Sequence, residues 1–255
     1  MYSPGKVLIL GGSTANGVTN TAEIIDIGSP ATAAFLSTAA MTFPRTHVNA
    51  TILADGSVLA TGGSRTKSVH DYDGVLHAEL WRPPSRFSPG GTWTLLNEMS
   101  VPRLYHATAV LLPDATVLTT GGGEGAGHAN HPDYQIFTPP YLCNGLARPH
   151  ISLAPVAVAY NTSFTVTSPN AATIARATWV RLSSVTHAFN MNQRFLDLHH
   201  AYNRPTGAAH RHGPYRPERV PARPLHAVPH RHPGHAFGGQ HRCHQRHWLH
   251  HRAEH

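Results

Sequence analysis

Tyr105 and His106 are the residues of this chain that most readily suggest chemistry, because a phenol and an imidazole stand side by side in an apolar stretch. Both groups can carry a proton or bind a metal ion. They lie near the start of the first of two predicted β-strands, VPRLYHATAVLLPD and VLTTGGG, which a Pro-Asp turn joins. Neighbouring side chains of a regular strand face opposite ways, so the pair could serve one site only where the backbone is irregular.

An earlier copy of the same unit indicates such an irregularity. Nine residues separate Arg45 from Asp55 in that copy, whereas ten separate Arg103 from Asp114. One extra residue is what a β-bulge supplies, and bulges re-aim side chains near sites. Drift in loop length between the two copies is the alternative explanation.

The phrase VLxxGG occurs three times, starting at Val7, Val58 and Val117, and a short apolar-polar strand follows each copy. A period of about fifty residues with a double glycine after one strand is typical of kelch blades in a β-propeller. A β-sandwich with glycine-rich turns is the alternative. Propellers use about four to eight blades, so the pattern predicts a partial propeller of about three blades over residues 1–146.

Residues 147–198 show a different pattern. Polar and apolar residues alternate over 148–153, 163–167 and 175–182, which predicts the first strands of an incomplete Ig-like β-sandwich. His187 follows these strands in a predicted loop.

Residues 199–255 differ in composition from the rest of the chain, with fourteen His, nine Arg and seven Pro but no Lys and no Ile. Their nine Arg and two Glu account for the whole formal charge of +7, so the basic balance does not predict a nucleic-acid partner for the body of the protein. A disordered, His-rich tail is one interpretation. We favour a reading-frame error, because back-translating from Ala222 and shifting the frame by one base gives the strand-like PPGHYMLFLI.

The start of the chain does not predict a targeting signal. Residues 1–12 lack the basic lead and cleavage site of a signal peptide and begin within a strand unit, which predicts a chain shortened at its start. No stretch is long and apolar enough to predict a membrane span.

Three motifs together resemble the copper radical oxidases of the galactose oxidase and glyoxal oxidase type. They are RLYHATAVLLPD from Arg103, NHPDYQIFTPPYL from Asn130 and THAFNMNQR from Thr186. The resemblance implies an all-β protein in which a kelch propeller precedes an Ig-like domain, and that domain sends a histidine loop into the propeller axis. It covers about residues 5–198, so we expect a truncated and frameshifted member of that family.

The resemblance also implies a site. Tyr105 would be the axial copper ligand and the general base that takes the substrate hydroxyl proton, and His106 and His187 would be the imidazole ligands. Such nitrogen and oxygen donors suit Cu(II) in tetragonal geometry with one open position. Without the resemblance, Tyr105 would be a half-buried strand tyrosine, and His106 would be a structural histidine equivalent to His47 of the preceding unit. His187 would be a histidine of a surface loop.

The implied reaction oxidises a primary alcohol, an aldehyde or a carbohydrate and reduces O₂ to H₂O₂. It also needs a tyrosine crosslinked to a cysteine, which this chain does not encode in a matching motif, so we expect little or no activity. Members of the family are extracellular. The alternative is a non-catalytic kelch module that binds glycan or protein. Uncovered strand edges predict a monomer or an aggregation-prone fragment.

Overall fold

The computed structural model describes residues 1–28, 33–124, 128–203, 207–211, 225–228 and 248–251, and beyond residue 198 it describes the side chain of Trp248 alone. Regular structure in these ranges is almost wholly β, which confirms the all-β prediction. Their helical content is limited to three short 3-10 turns, Asp71–Asp73, Pro140–Leu142 and Ala171–Thr173. Within the described ranges, no helix has the length and hydropathy needed to cross a bilayer.

Three antiparallel sheets follow one another along the chain. The first has the strand order β1 (Lys6–Leu10), β4 (Ala22–Asp26) and β5 (Ala34–Ser37), with a small hairpin of β2 (Ser13–Thr14) and β3 (Gly17–Val18) inserted after β1. The second contains β6 (Asn49–Ile52), β7 (Val58–Thr61), β8 (His77–Arg82) and β9 (Thr92–Glu98). The third contains β10 (Thr108–Leu111), β11 (Val117–Thr120), β12 (Tyr134–Phe137) and β20 (Trp248–His251).

A fourth, five-stranded sheet follows in the chain. Its strand order is β13 (Phe164–Val166), β18 (Gly207–Arg211), β17 (Phe195–Asn203), β14 (Arg176–Val180) and β19 (Leu225–Val228). A separate hairpin of β15 (Val185–Thr186) and β16 (Phe189–Asn190) lies between β14 and β17 in the chain. The sheet docks on the β6–β7 turn, where Arg176 Nη1 and Thr178 Oγ1 each donate to a backbone carbonyl at 2.7 Å.

An aspartate shapes the turn between the first two strands in both the second and the third sheet. Oδ1 of Asp55 accepts from the N–H of Ser57, and Oδ1 of Asp114 accepts from the N–H of Thr116, both at 3.0 Å. These Asx turns lie in the loops 53–57 and 112–116, in which the chain reverses between the two strands. The repeat read from the sequence therefore has the same turn chemistry in both copies.

Arg45 is a charged side chain in the interior, with 0% of its surface exposed. Its Nη2 donates to Glu79 Oε1 at 2.7 Å, and its Nη1 donates to the carbonyl of Gly62 at 2.8 Å. Glu79 is equally buried and also accepts from the N–H of Thr42 at 2.6 Å. Burial lowers the pKa of Arg45, and the hydrogen bond and charge of Glu79 oppose that shift. An arginine guanidinium is not deprotonated in proteins, so the pair is ionic.

The third sheet repeats this arrangement around Arg103, which is 1% exposed. Its Nη1 donates to the carbonyl of Gly121 at 2.9 Å and to Asp133 Oδ1 at 3.1 Å. Each arginine thus ties the start of its sheet to the double glycine and to a carboxylate near the third strand.

The double glycines also join one sheet to the next. Gly12 N donates to the carbonyl of Arg45 at 2.7 Å, and Gly63 N donates to the carbonyl of Arg103 at 2.8 Å. A Cβ on Gly11 would lie 2.5 Å from the Arg45 carbonyl oxygen, and one on Gly62 would lie closer still to that of Arg103. Both glycines have positive φ, so the close approach and the turn each require glycine.

Part of the tail that the sequence predicts to be disordered, residues 199–255, is described as strand. The end of β17 together with β18, β19 and β20 lies there. The structure differs from the prediction at these stretches because their backbone pairs with β12, β13 and β14. The rest of the tail lies outside the described residues, and the domain boundaries after residues 146 and 198 and the reading-frame hypothesis remain predictions.

We expect Glu79→Ala to lower the free energy of unfolding by about 3–5 kcal/mol, because it leaves the Arg45 guanidinium buried without a counter-charge. Urea denaturation followed by circular dichroism measures this. The matched control is Asp197→Asn, since the Arg176–Asp197 pair is half-exposed and its loss should cost at most about 1 kcal/mol. Equal effects of the two substitutions would show that the buried pair has no special role.

We expect Gly62→Ala to lower the free energy of unfolding by about 2–4 kcal/mol, through backbone strain at φ +65° and the collision with the Arg103 carbonyl. Gly90→Ala is the control, because a Cβ there meets nothing within 4 Å. Its effect should stay within about 0.5 kcal/mol. Thermal melts of the two variants side by side compare them, and an unchanged melt for Gly62→Ala would contradict the close inter-sheet contact.

Candidate metal centre

Tyr105 and His106 lie together in a turn that immediately precedes β10. Ala107 N donates to the carbonyl of Leu104 at 3.1 Å to close the turn, and His106 has a φ of +63°. The two rings are 3.9 Å apart between centroids and tilted by 40°. The irregular backbone expected from the sequence is confirmed, but the β-bulge interpretation is wrong, because the extra residue lies in the turn before the strand begins.

Gly123 holds this turn from the other side. Its N–H donates to the carbonyl of Tyr105 at 3.0 Å, and its carbonyl lies 2.9 Å from Nδ1 of His106. A carbonyl oxygen can only accept, so Nδ1 carries the hydrogen and Nε2 keeps the lone pair. This hydrogen bond is the usual way in which a protein fixes the tautomer and ring orientation of a metal-binding histidine.

Tyr105 is 39% exposed, so its phenol is within reach of a small molecule in solution. The ring of His47 lies edge-on against it, with centroids 5.4 Å apart and the planes at 69°. His47 has a φ of +56°, close to that of His106, so the two histidines occupy equivalent turns in successive units. Partial burial lowers the pKa of His47, and the charge of Glu124 works against that shift.

His187 lies at the tip of the β15–β16 hairpin. His187 and Ala188 have φ of +50° and +66°, as a two-residue hairpin turn requires at both central positions. Nδ1 of His187 lies 2.8 Å from the hydroxyl of Thr186, and this contact orients the ring. Strand β16 contacts β10, the strand that follows the Tyr105–His106 turn, so the hairpin reaches the third sheet at that strand.

A second group of histidines lies in the loops after β7 and β11, and two of its members pair with carboxylates. His131 Nε2 lies 3.0 and 3.1 Å from the two oxygens of Asp71, and His128 Nε2 lies 3.5 Å from Glu124. The ring of His70 is 4.7 Å from that of His128. In the part of the chain that the structure describes, no three His, Cys, Asp or Glu side chains are grouped to hold a metal ion.

The phenol of Tyr105 and the imidazoles of His106 and His187 would be a different kind of donor set. His106 presents Nε2 because Nδ1 is bonded to a carbonyl, and Tyr105 is accessible beside it. Nitrogen and oxygen donors of this kind fit Cu(II) better than they fit Mg²⁺ or Ca²⁺, which prefer oxygen alone. The residues present therefore fit a copper ion.

Sequence reasoning missed two contributors to this site. Gly123 was visible only as the end of a glycine run, and its contacts with Tyr105 and His106 come from the fold. The sequence suggested that His47 is equivalent to His106, but its contact with Tyr105 joins adjacent units and leaves no local pattern.

Residues 148–229 match the family model of the galactose oxidase-like Early set domain. The chain is 33% identical to galactose oxidase of Gibberella zeae over 206 residues, which cover 76% of this chain and 29% of that protein. It is 30% identical to an aldehyde oxidase of Arabidopsis thaliana over 176 residues, which cover 62% of this chain and 28% of that protein. The chain thus spans less than a third of the length of these curated relatives.

A solved structure of similar fold is that of a fungal alcohol oxidase of the AA5 family in complex with copper. The TM-score is 0.72 at 29% sequence identity, and the match covers 90% of this chain and 46% of the oxidase. Sequence and fold agree on the same group of proteins, so over the stretch that it shares with them this chain is similar to the galactose oxidase-like proteins.

Proposed function

We propose that this chain carries the copper-holding residues of a copper radical oxidase. The observation that carries the proposal is the turn at Tyr105 and His106, where a half-exposed phenol and an imidazole with a fixed tautomer lie 3.9 Å apart between ring centroids. The contact of β16 with β10 supports His187 as a third ligand, because it brings that hairpin to the strand that follows the turn.

In this proposal the Nε2 of His106 and the imidazole of His187 would hold a copper ion, and Tyr105 would supply the phenol oxygen. The bound copper would accept an electron and act as a Lewis acid. Tyr105 would take the proton of the substrate hydroxyl as general base, for which its exposure is suitable. Gly123 would keep the His106 ring in the orientation that binding needs.

The substrate class follows from the relatives. One is a galactose oxidase, one an aldehyde oxidase and one an alcohol oxidase, so we propose a primary alcohol, an aldehyde or a carbohydrate as substrate. O₂ would be the oxidant and H₂O₂ the second product. The same resemblance supports an extracellular location for the complete protein.

We further propose that the first three sheets are blades of a kelch-type propeller over residues 1–146, and that an Ig-like domain begins at residue 147. The hydrogen bonds from Gly12 to Arg45 and from Gly63 to Arg103 support this, since they join successive units in the same way. Phe35 and Leu36 on the outer strand β5 are exposed, which supports the expectation that the chain alone aggregates.

Copper titration tests the ligand set. With Cu(II), the EPR signal should show coupling to two imidazole nitrogens, and His106→Ala and His187→Ala should each remove one and weaken binding by more than about tenfold. Tyr105→Phe should keep both nitrogens and remove the phenolate-to-copper absorption band. His131→Ala is the control, because its imidazole is bonded to Asp71. Undiminished binding by His187→Ala would contradict the proposal.

A peroxide assay tests the completeness of the machinery. We expect the copper-loaded chain to produce H₂O₂ from galactose, methylglyoxal or glyoxal no faster than the same concentration of free Cu(II), because the reaction needs a second redox group in a crosslinked tyrosine. Strong turnover would contradict that expectation. A chain that binds no copper but binds glycan equally well after Tyr105→Phe and His187→Ala would be a binding module instead.

A further inference from the structure

We infer that Gln193 is a positioning residue that clamps the His187 hairpin to the edge of β6. Its side chain makes three hydrogen bonds: Nε2 donates to the carbonyl of Ala50 at 2.7 Å and to that of Asn190 at 3.3 Å, and Oε1 accepts from the N–H of Ile52 at 2.8 Å. The inference rests on the proposed function, because the hairpin matters only if His187 is a ligand.

The partners of Gln193 determine which way its amide faces. The carbonyls of Ala50 and Asn190 can only accept, so the NH₂ group must face them, and the Ile52 N–H requires the amide oxygen. Both hydrogens of the NH₂ group and the oxygen are therefore used. No other side chain of similar size offers two donors and one acceptor in this arrangement, so the position is specific for glutamine.

Strand β6 has a free edge for this contact because it lies at the end of its sheet, in the order β6-β7-β8-β9. Ala50 and Ile52 are two residues apart, so their polar backbone groups point to the same side of the strand. The Gln193 amide occupies that edge much as a neighbouring strand would. One side chain thus attaches the segment after His187 to the second sheet.

The same strand leads to the other half of the proposed site. Asn49, at the start of β6, donates from Nδ2 to the carbonyl of Ala107 at 3.1 Å, and Ala107 directly follows His106. Gln193 is therefore connected to the turn that holds Tyr105 and His106 in three steps: its own hydrogen bonds to β6, the backbone of β6, and the hydrogen bond from Asn49. This path gives Gln193 control over how the His187 hairpin sits relative to that turn.

The hairpin needs such an attachment. Its two strands contain two residues each, and isolated two-stranded hairpins are marginal in water. Asn190 closes its base internally, through Oδ1 to Ser184 N at 3.2 Å and Nδ2 to Ser183 Oγ at 3.2 Å. The Gln193 side chain extends from this base to another sheet.

The test compares Gln193→Met and Gln193→Glu with the unaltered chain. Methionine has a similar length and no amide, whereas glutamate keeps an acceptor for Ile52 but directs a carboxylate oxygen at two carbonyls. Asn20→Leu is the control, because it removes a side-chain hydrogen bond of 2.8 Å to the carbonyl of Met41, between segments that flank strands of the first sheet. A thermal melt checks that each variant is folded.

The first readout uses no copper. Amide hydrogen exchange at Ile52 should accelerate by at least about tenfold in Gln193→Met, while the neighbouring Leu53 amide, bonded to the carbonyl of Ser57 at 2.8 Å, should keep its protection. Unchanged exchange at Ile52 in folded Gln193→Met and Gln193→Glu would overturn the clamp itself.

The second readout is copper affinity with its EPR spectrum. Gln193→Met should weaken Cu(II) binding by about 10–100-fold and reduce the coupling from one nitrogen, and Asn20→Leu should do neither. Gln193→Met combined with His187→Ala should weaken Cu(II) binding no further than His187→Ala alone, because both substitutions remove the same ligand. Full additivity, or unchanged affinity despite faster exchange at Ile52, would overturn the positioning role.

The two readouts distinguish this inference from the proposed function. If His187→Ala binds copper as tightly as the unaltered chain, the metal-site proposal fails and the positioning role fails with it. Accelerated exchange at Ile52 would then identify Gln193 as a purely structural link between the hairpin and β6. If His187→Ala weakens binding but Gln193→Met does not, only the positioning role is overturned.

Discussion

The buried ion pair of Arg45 and Glu79 is the constraint on which the described fold depends. A guanidinium without contact with water must find its counter-charge and its hydrogen-bond acceptors within the protein. Arg45 finds them in the carbonyl of Gly62, 17 residues away, and in the carboxylate of Glu79, 34 residues away. A single side chain therefore determines how the start of a sheet, its double glycine and its third strand come together.

The backbone of the same arginine sets the relation between sheets. The Arg45 carbonyl accepts from Gly12 of the preceding sheet, and the Arg103 carbonyl accepts from Gly63. Each arginine is thus held by its side chain within one sheet and by its main chain to another. Tyr105 and His106 are two and three residues beyond Arg103, so the turn that carries them starts from a backbone position fixed in both directions.

Local patterns in the sequence predict the parts of this arrangement that repeat. The VLxxGG phrase, the preceding arginine and the aspartate turn recur at similar spacings, and the count between Arg103 and Asp114 indicated an irregular backbone beside Tyr105. The count could not indicate where the extra residue lies, because a bulge within the strand and a longer turn before it each add one residue between the arginine and the aspartate. The structure has the turn, with His106 at positive φ.

Long-range contacts were beyond the sequence patterns. By position in the repeat, Gln135 of the third sheet is equivalent to Glu79 of the second. The ion-pair partner of Arg103 is nevertheless Asp133, two residues before Gln135. The Gln193 amide reaches a strand more than 140 residues away in the chain, so neither period nor spacing could relate them. Its partners are backbone groups, and these have no sequence signature at all.

The candidate site is divided between two parts of the chain, the turn at Tyr105 and His106 and the hairpin that carries His187. This division has an energetic consequence. His106 is oriented by a carbonyl within its own sheet, whereas the hairpin that carries His187 contributes only through its docking against β10 and β6. A ligand that joins both halves would stabilise that docking by the free energy with which it prefers the docked form. By linkage, the factor by which docking raises the affinity for the ligand equals the factor by which the ligand favours docking. A contact that favours docking raises the apparent affinity only as far as the undocked form is populated. In the proposed site, metal binding and docking of the hairpin would therefore be coupled equilibria, and the contacts at the β6 edge would contribute to that coupling although they lie outside the donor set.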